Sequence, residues 1–336
     1  MGVEAQPQKL SCLITIDTEG DNLWSGSKTT TTKNAQYLPR FQILCERYGL
    51  KPTYLTNYEM ALSPVFQEFG KDLIHRQAGE IGMHLHAWNN PPLSPLTSDD
   101  MKFHPYLIEY PLDVVREKIT VMTDLLEETF EVKMVSHRAG RWSFNEIYAQ
   151  ILIEKGYHVD CSVTPFVSWK THVGDPSQAG GTDYSQFQTE AYHIDPQNIA
   201  RTGKSPLLEI PMTVAPLQNK AVYWMNKKLK KNTLLQKGMN RISPPVWFRP
   251  KKGNLMETIA LIQQSLRQKK KYVQFMLHSS ELMPGGSPTF PQNDDIEKLY
   301  DDLETMFGVL QERFIGMTLN EFYQNHLNSL ENGIHQ

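Results

Sequence analysis

The stretch Glu80-Ile81-Gly82-Met83-His84-Leu85-His86 carries the most visible chemistry of this chain. Successive side chains of a strand point to opposite faces, so His84 and His86 share one face while Met83 and Leu85 share the other. Two imidazoles on one face can hold one ion. Acids stand near another strand end, at Asp17 and Glu19 in Ile14-Thr15-Ile16-Asp17-Thr18-Glu19. A catalytic centre for zinc or another first-row ion needs three protein ligands and an open position, and imidazole with carboxylate suits such ions. Amide hydrolysis also needs a proton for the departing amine, which a histidine of ordinary pKa, about 6.5, can give. His278 ends the apolar run from Tyr272 to Leu277, where a histidine without a partner is costly, and fits that part. Arg138, with Asp160 available to balance it, is a candidate for orienting the site. The plainer readings are hydrogen-bonded core histidines for His84 and His86, turn caps for Asp17 and Glu19, and surface ion pairs for Arg138 and Arg141.

Strands must position these residues, and the pattern supplies them. Apolar, β-branched runs at Leu10 to Ile16, Pro52 to Leu55, Glu80 to His86, Met134 to Arg138, Tyr157 to Cys161, Leu207 to Pro211 and Tyr272 to His278 read as strands. Helical periodicity marks Ala35 to Tyr48, Pro64 to Gln77, Leu112 to Thr129, Phe144 to Lys155, Asn254 to Arg267 and Asn293 to Glu312. Thr318 followed by Glu321 is a capping box that opens a final short helix. Strand and helix alternating this often predict an α/β fold with a parallel sheet, and in a β/α barrel the strands' carboxyl ends collect catalytic groups around one mouth. Trp88, Asn89, Asn90, Pro91 and Pro92 follow the histidine pair and form a stiff loop there. Its aromatic and amide groups suit a sugar ring, or the tryptophan simply packs on the barrel rim.

The 336 residues are read as one catalytic barrel domain over 1–336, with a surface excursion and basic insertion over 165–255. The segment from Ile210 to Met256 has ten Lys/Arg and no Asp/Glu, with Lys227, Lys228, Lys230 and Lys231 close together beside Trp224 and Trp247. It is a solvated face, or a contact for an anionic lipid or glycan. An apolar fraction of 40% and a net charge of -3 describe a soluble globular protein with no bias toward nucleic acid. Met1 to Lys9 lack the pattern of a secretory signal, which predicts a cytoplasmic protein. Cys12, Cys45 and Cys161, without CxxC spacing, read as small buried residues.

The order of motifs resembles the polysaccharide deacetylase family, the NodB-homology group of carbohydrate esterases. Ile14 to Asp21 resemble its acidic first motif, and Glu80 to His84 match its Glu-Ile-Gly-x-His. Ser136-His137-Arg138-Ala139-Gly140-Arg141-Trp142, then Gly156 to Pro165, and Phe275-Met276-Leu277-His278-Ser279 resemble its later motifs. The likeness covers residues 10 to 325 apart from the basic segment. It implies a distorted (β/α)7 barrel with an inserted basic subdomain, and a divalent metal held by one carboxylate and two histidines. It further implies Asp17 as base, Arg138 as the residue orienting that base, Asp160 as its counter-ion and His278 as acid. Two departures matter. Thr18 stands where many members have a ligand aspartate, which moves that part to Glu19, with Asp17 as the alternative, and Trp88 stands where they have the second histidine, which leaves His86, with His104 as a weaker alternative.

The expectation is a metal-dependent hydrolase that removes acetyl from an N-acetylated sugar of a polysaccharide or glycolipid precursor. Zinc is the first expectation for the ion, with cobalt, nickel, iron or manganese as alternatives, held by Glu19, His84 and His86. Trp88, Asn89, Arg141 and Trp142 are the candidate substrate contacts. A metal-independent C–N amidohydrolase on the same barrel and a glycan-binding pseudoenzyme are the alternatives.

Overall fold

Strand β1 (Leu10–Thr18) divides the molecule into an inside and an outside. Cys12, Ile14 and Ile16 point outward into the large core shared with the helices, whereas Leu13 points inward to a second cluster with Leu55, Val159, Cys161, Leu208 and Ile210. By the same alternation Thr15 and Asp17 also face inward. The computed structural model describes residues 9–334 apart from 22, 24–29, 173, 175–179 and 218–243.

The strands are β1, β2 (Pro52–Thr56), β3 (Glu80–Leu85), β4 (Ser136–Ala139), β5 (Val159–Asp160), β6 (Tyr192–Asp195), β7 (Asn198–Thr202), β8 (Leu208–Glu209), β9 (Val214–Pro216), β10 (Pro245–Trp247), β11 (Tyr272–His278) and β12 (Phe314–Met317). Their order is β11-β1-β2-β3-β4-β5-β8-β6-β7. The first seven in that order are parallel neighbours, which is the curled sheet of a distorted (β/α)7 barrel. β12 adds to the lower half of β1 in parallel, while β6 runs antiparallel to both β8 and β7. β9 and β10 form a separate antiparallel pair. Among the described residues the sheet does not close by strand pairing. Between β8 and β11 the join is made by Tyr272 Oη donating to Pro211 O (2.7 Å), Gln274 N to Thr213 Oγ1 (2.8 Å) and Met276 N to Phe248 O (3.2 Å).

Helices α1 (Leu38–Arg47), α2 (Tyr58–Ala61), α3 (Pro64–His75), α4 (Asp100–Phe103), α5 (Leu112–Phe130), α6 (Glu146–Glu154), α7 (Leu255–Arg267), α8 (Asn293–Arg313) and α9 (Leu319–Ile334) connect and cover the strands. The expected helix from Ala35 starts later, because Pro39 belongs in a first turn; Lys33–Tyr37 form a 3-10 turn before it. The capping box that opens α9 is present in both directions, Thr318 N to Glu321 Oε2 (3.1 Å) and Glu321 N to Thr318 Oγ1 (3.1 Å). That helix is longer than its sequence signal suggested, and Leu319, Phe322 and Tyr323 cover the bottom of the barrel interior.

The stretch 165–255 is not one insertion, since it contributes β8 to the barrel itself and the β6–β7 hairpin to the sheet edge. Trp224, Lys227, Lys228, Lys230 and Lys231, with most of the basic segment 220–252, lie outside the described residues. The three cysteines are free and buried. Among the described residues no helix is long and apolar enough to cross a membrane.

Candidate active site

Register brings the proposed chemistry together. Asp17 at the upper end of β1 lies beside His278 at the end of β11, and His84 on β3 lies beside Arg138 on β4. All point into the barrel at the carboxyl ends of the strands. Glu19 follows one residue beyond β1, where Asn34 Nδ2 donates to its carbonyl (2.7 Å) and its own N–H donates to Ser279 Oγ (3.0 Å). His86 follows β3 and rests against Gly140. A Cβ at Gly140 would lie 2.3 Å from Leu85 O and 2.7 Å from His86 Nδ1, so only glycine permits this approach.

Glu19, His84 and His86 present ligand atoms within 4.8 Å of one another, all buried. His86 Nε2 is 2.8 Å and His84 Nε2 3.5 Å from Glu19 Oε2. His84 Nδ1 bonds to Arg138 O (2.9 Å), which puts a proton on Nδ1 and leaves the Nε2 lone pair facing the carboxylate. Among the described residues the Nδ1 of His86 is buried without a partner. One carboxylate and two imidazoles converging from buried positions fit the donor set of a divalent first-row ion. Burial opposes the charge on Glu19, but His278, His84 and His86 outweigh it and hold the carboxyl well below its usual range. The same contest splits the histidines. Burial is outweighed at His84 by Asp17 and Glu19, which raise its pKa, and prevails at His86, which is lowered.

Arg138 is fully buried and donates to Asp17 Oδ1 (2.6 Å), Thr15 Oγ1 (2.9 Å) and Cys161 O (3.2 Å). Gln274, with its amide donating to Ile210 O (2.9 Å), accepts from Arg138 Nη2 at 2.7 Å. Burial raises the Asp17 pKa, yet Arg138, His84 and His278 together hold it below the ordinary carboxylate range. Its second oxygen remains directed at the cavity, 3.9 Å from His278 Nε2. His278 Nε2 is also 3.6 Å from Glu19 Oε1.

A cavity of about 280 Å³ opens on this group, lined by Asp17, Glu19, His84, His86, Arg249 and His278 with a wall of Trp88, Tyr106, Trp142 and Trp169. Trp88 packs on His86 with ring centroids 4.5 Å apart, and Trp142 stacks on Trp169 at 6.5 Å. Arg141 also lines it. Asn89 does not, because its Nδ2 is turned to Glu59 Oε2 (2.8 Å). His104 ends α4 and is not part of the ligand group.

Asp160 is the clear departure from the expected arrangement. It faces the helix layer, where its carboxylate bonds to His137 Nδ1 (2.6 Å) and accepts from Ser162 N (2.9 Å), while Arg138 is matched by Asp17. Register explains this: Asp160 pairs with His137, and His137 and Arg138 are neighbours on β4 with opposite faces. Glu209, next to Asp160, is pushed well above the usual carboxylate range by burial and that neighbouring charge.

Sequence reading missed Arg249. Its Nη2 is 2.9 Å from His278 Nδ1 and 2.9 Å from Glu281 Oε1, while Glu281 Oε2 accepts from His278 N (2.8 Å). Glu281 Oε2 also lies 3.3 Å from His278 Nδ1, so Arg249 and Glu281 together fix the ring with Nε2 toward the acids. Nine other cations in the same stretch hid this one. The available signal was its place directly after Trp247-Phe248, an apolar pair at a strand end.

No protein-family model and no curated protein matches the chain. Solved structures do. A provisionally assigned polysaccharide deacetylase from Mycobacterium smegmatis is 15% identical, with 97% of this chain and 93% of that one covered and a TM-score of 0.51. A provisionally assigned glycoside hydrolase/deacetylase from Parabacteroides distasonis is 10% identical, with coverages of 94% and 71% and a TM-score of 0.59. A 4-alpha-glucanotransferase from Thermococcus litoralis is 13% identical, with coverages of 95% and 40% and a TM-score of 0.52. Such identities speak to fold alone, and a transferase among them is a reminder that a fold hosts more than one reaction. The chain has the distorted (β/α)7-barrel fold of the polysaccharide deacetylases of the NodB-homology type.

Proposed function

We propose that this chain is a metal-dependent hydrolase that removes an acetyl group from an N-acetylated sugar of a polysaccharide or glycolipid precursor. One observation carries the reading: Glu19, His84 and His86 converge within 4.8 Å in a cavity that also holds the Arg138-paired Asp17 and His278. A divalent ion, zinc first, bound by those three residues would supply Lewis acidity and bring the pKa of water to about 7. The chain's own groups do the rest. Asp17, held ionised by Arg138 on one oxygen, takes the proton of the attacking water on the other. His278, oriented at Nδ1 by Glu281 and Arg249, gives the Nε2 proton of its imidazolium form to the departing amine nitrogen and is left a neutral imidazole. The rings of Trp88, Trp142 and Trp169 cover the cavity side and suit the apolar face of a sugar.

The test is acetate release from N-acetylated amino sugars and their oligomers by zinc-loaded protein. Asp17→Asn and His278→Ala should each lower the rate by about 100-fold or more, with the circular dichroism of the wild type. Elemental analysis should find about one ion per chain, lost in His84→Ala. A rate that survives chelation would instead indicate a metal-independent amidase, and sugar binding without turnover a glycan-binding protein.

A further inference from the structure

Two arginines face the cavity, and they are not alike. Arg249 is engaged by Glu281 and His278, both at 2.9 Å from its Nη2. Arg141 is exposed and meets no carboxylate within ion-pair distance among the described residues. Its guanidinium carbon lies 6.0 Å from the centre of the Tyr106 ring. The Tyr106 hydroxyl gives its proton to His172 O (2.5 Å), so it can offer the arginine one acceptor, while the guanidinium carries five donors.

The backbone holds Arg141 there under strain. Arg141 and Trp142 have φ of +52° and +60°, in the left-handed region that costs non-glycine residues free energy. Packing enforces the bend. Tyr184 Oη donates to Trp142 O (2.6 Å), the Trp142 ring lies against Trp169 and Trp247, and Gly140 sits against His86. A glycine at 141 would relieve the strain, and the exposed side chain returns little burial to offset it. The turn therefore displays a guanidinium beside the ligand histidine.

The charge balance shows what that display favours. Asp17 is matched by Arg138 and Glu281 by Arg249. With a divalent ion on Glu19, His84 and His86, the cavity is left positive by the excess of the ion and by Arg141. Such a cavity attracts an anionic ligand, and a guanidinium fork matches the two oxygens of a carboxylate or a phosphate. We propose that the acetylated sugar taken by this site bears an oxyanion, a carboxylate or a phosphate ester, that docks on Arg141 while the tryptophan wall packs on the ring. The proposal rests on the acetyl-sugar reading for what else is bound, but anion recognition does not require turnover.

Titration calorimetry on the full chain, zinc-loaded and metal-free, tests it with three probes: a neutral N-acetylhexosamine, an N-acetylhexosaminuronate and an N-acetylhexosamine 1-phosphate. At least one anionic probe should bind the zinc-loaded chain about 10-fold or more tightly than the neutral one, and part of that preference should persist without zinc. The preference should vanish in Arg141→Gln and be only partly kept in Arg141→Lys, both checked for wild-type circular dichroism and zinc content. The probe that shows it separates carboxylate from phosphate. Equal binding of all three probes, or a preference undiminished in Arg141→Gln, overturns the proposal. A preference that depends on Arg141 without acetate release from any probe upholds the anion site and removes the deacetylase reading, so the two can fail separately.

Discussion

Glu281 shows how one buried residue couples the site to the stability of the fold. Burial alone would raise its pKa, yet Arg249 and the side chain and amide of His278 hold it at about 2, from an ordinary 4.5. A carboxyl whose folded pKa lies below its unfolded value contributes stability that is present above the unfolded value and lost as pH falls toward the folded one. Here the window runs from about 4.5 down to about 2, and the contribution is on the order of 3 kcal/mol. Glu281→Gln keeps the shape and removes the titration, so the urea midpoint of the wild type should fall more steeply between pH 5 and 3 than that of the variant. Parallel slopes would refute the assignment. The acids and histidines around this residue were legible in the sequence because their types and strand-end positions are local facts. The pairing of Asp160 with His137 was not, since it depends on the register of β4 against β5, which only the folded sheet fixes. Arg249 was hidden for the same kind of reason: a strand end marked it, but nothing in the chain distinguished its destination from those of its basic neighbours.

The element that most directly shapes the mouth is α5, through one lysine. Lys118 is buried, and its Nζ donates to Asn90 O (2.5 Å) and Pro92 O (2.6 Å), while Asn90 Nδ2 donates back to Lys118 O (3.1 Å). Asn89 ties the same loop to Glu59, which also accepts from Gly20 N (3.2 Å) beyond β1. The loop bearing Trp88 is therefore held from two sides. Lys118→Met should leave two backbone carbonyls without a donor and lower stability by about 1–3 kcal/mol, read from urea denaturation. An unchanged midpoint would mean the loop is held elsewhere. The strands and long helices were readable from apolar periodicity because each buries one face, and Pro39 even marks where α1 can begin. The loop's anchor was not readable, because a lysine in an amphipathic helix looks solvated until the neighbouring carbonyls are in place.

At the scale of the whole molecule the barrel interior is layered, with an apolar floor, a polar middle and a reactive rim. Leu13, Leu55, Val159 and Leu208 make the floor with Phe322 of α9, whose ring lies 5.2 Å from that of Tyr272. Above it Arg138 spans Thr15 and Asp17, and the ligand group stands at the top. Phe322→Ala should cost about 3–5 kcal/mol, measured by denaturation, while zinc stoichiometry stays the same, because the floor and rim are at opposite ends of the strands. A loss of bound zinc from the folded variant would contradict that separation. The incomplete circle of strands has a further consequence. Asp17, His84, Arg138 and His278 all stand on the uninterrupted run from β11 through β1 to β4, whereas the break lies on the far side, between β8 and β11. The working side chains therefore share one continuous backbone ladder, while the far side is joined by separate hydrogen bonds that run largely through side chains.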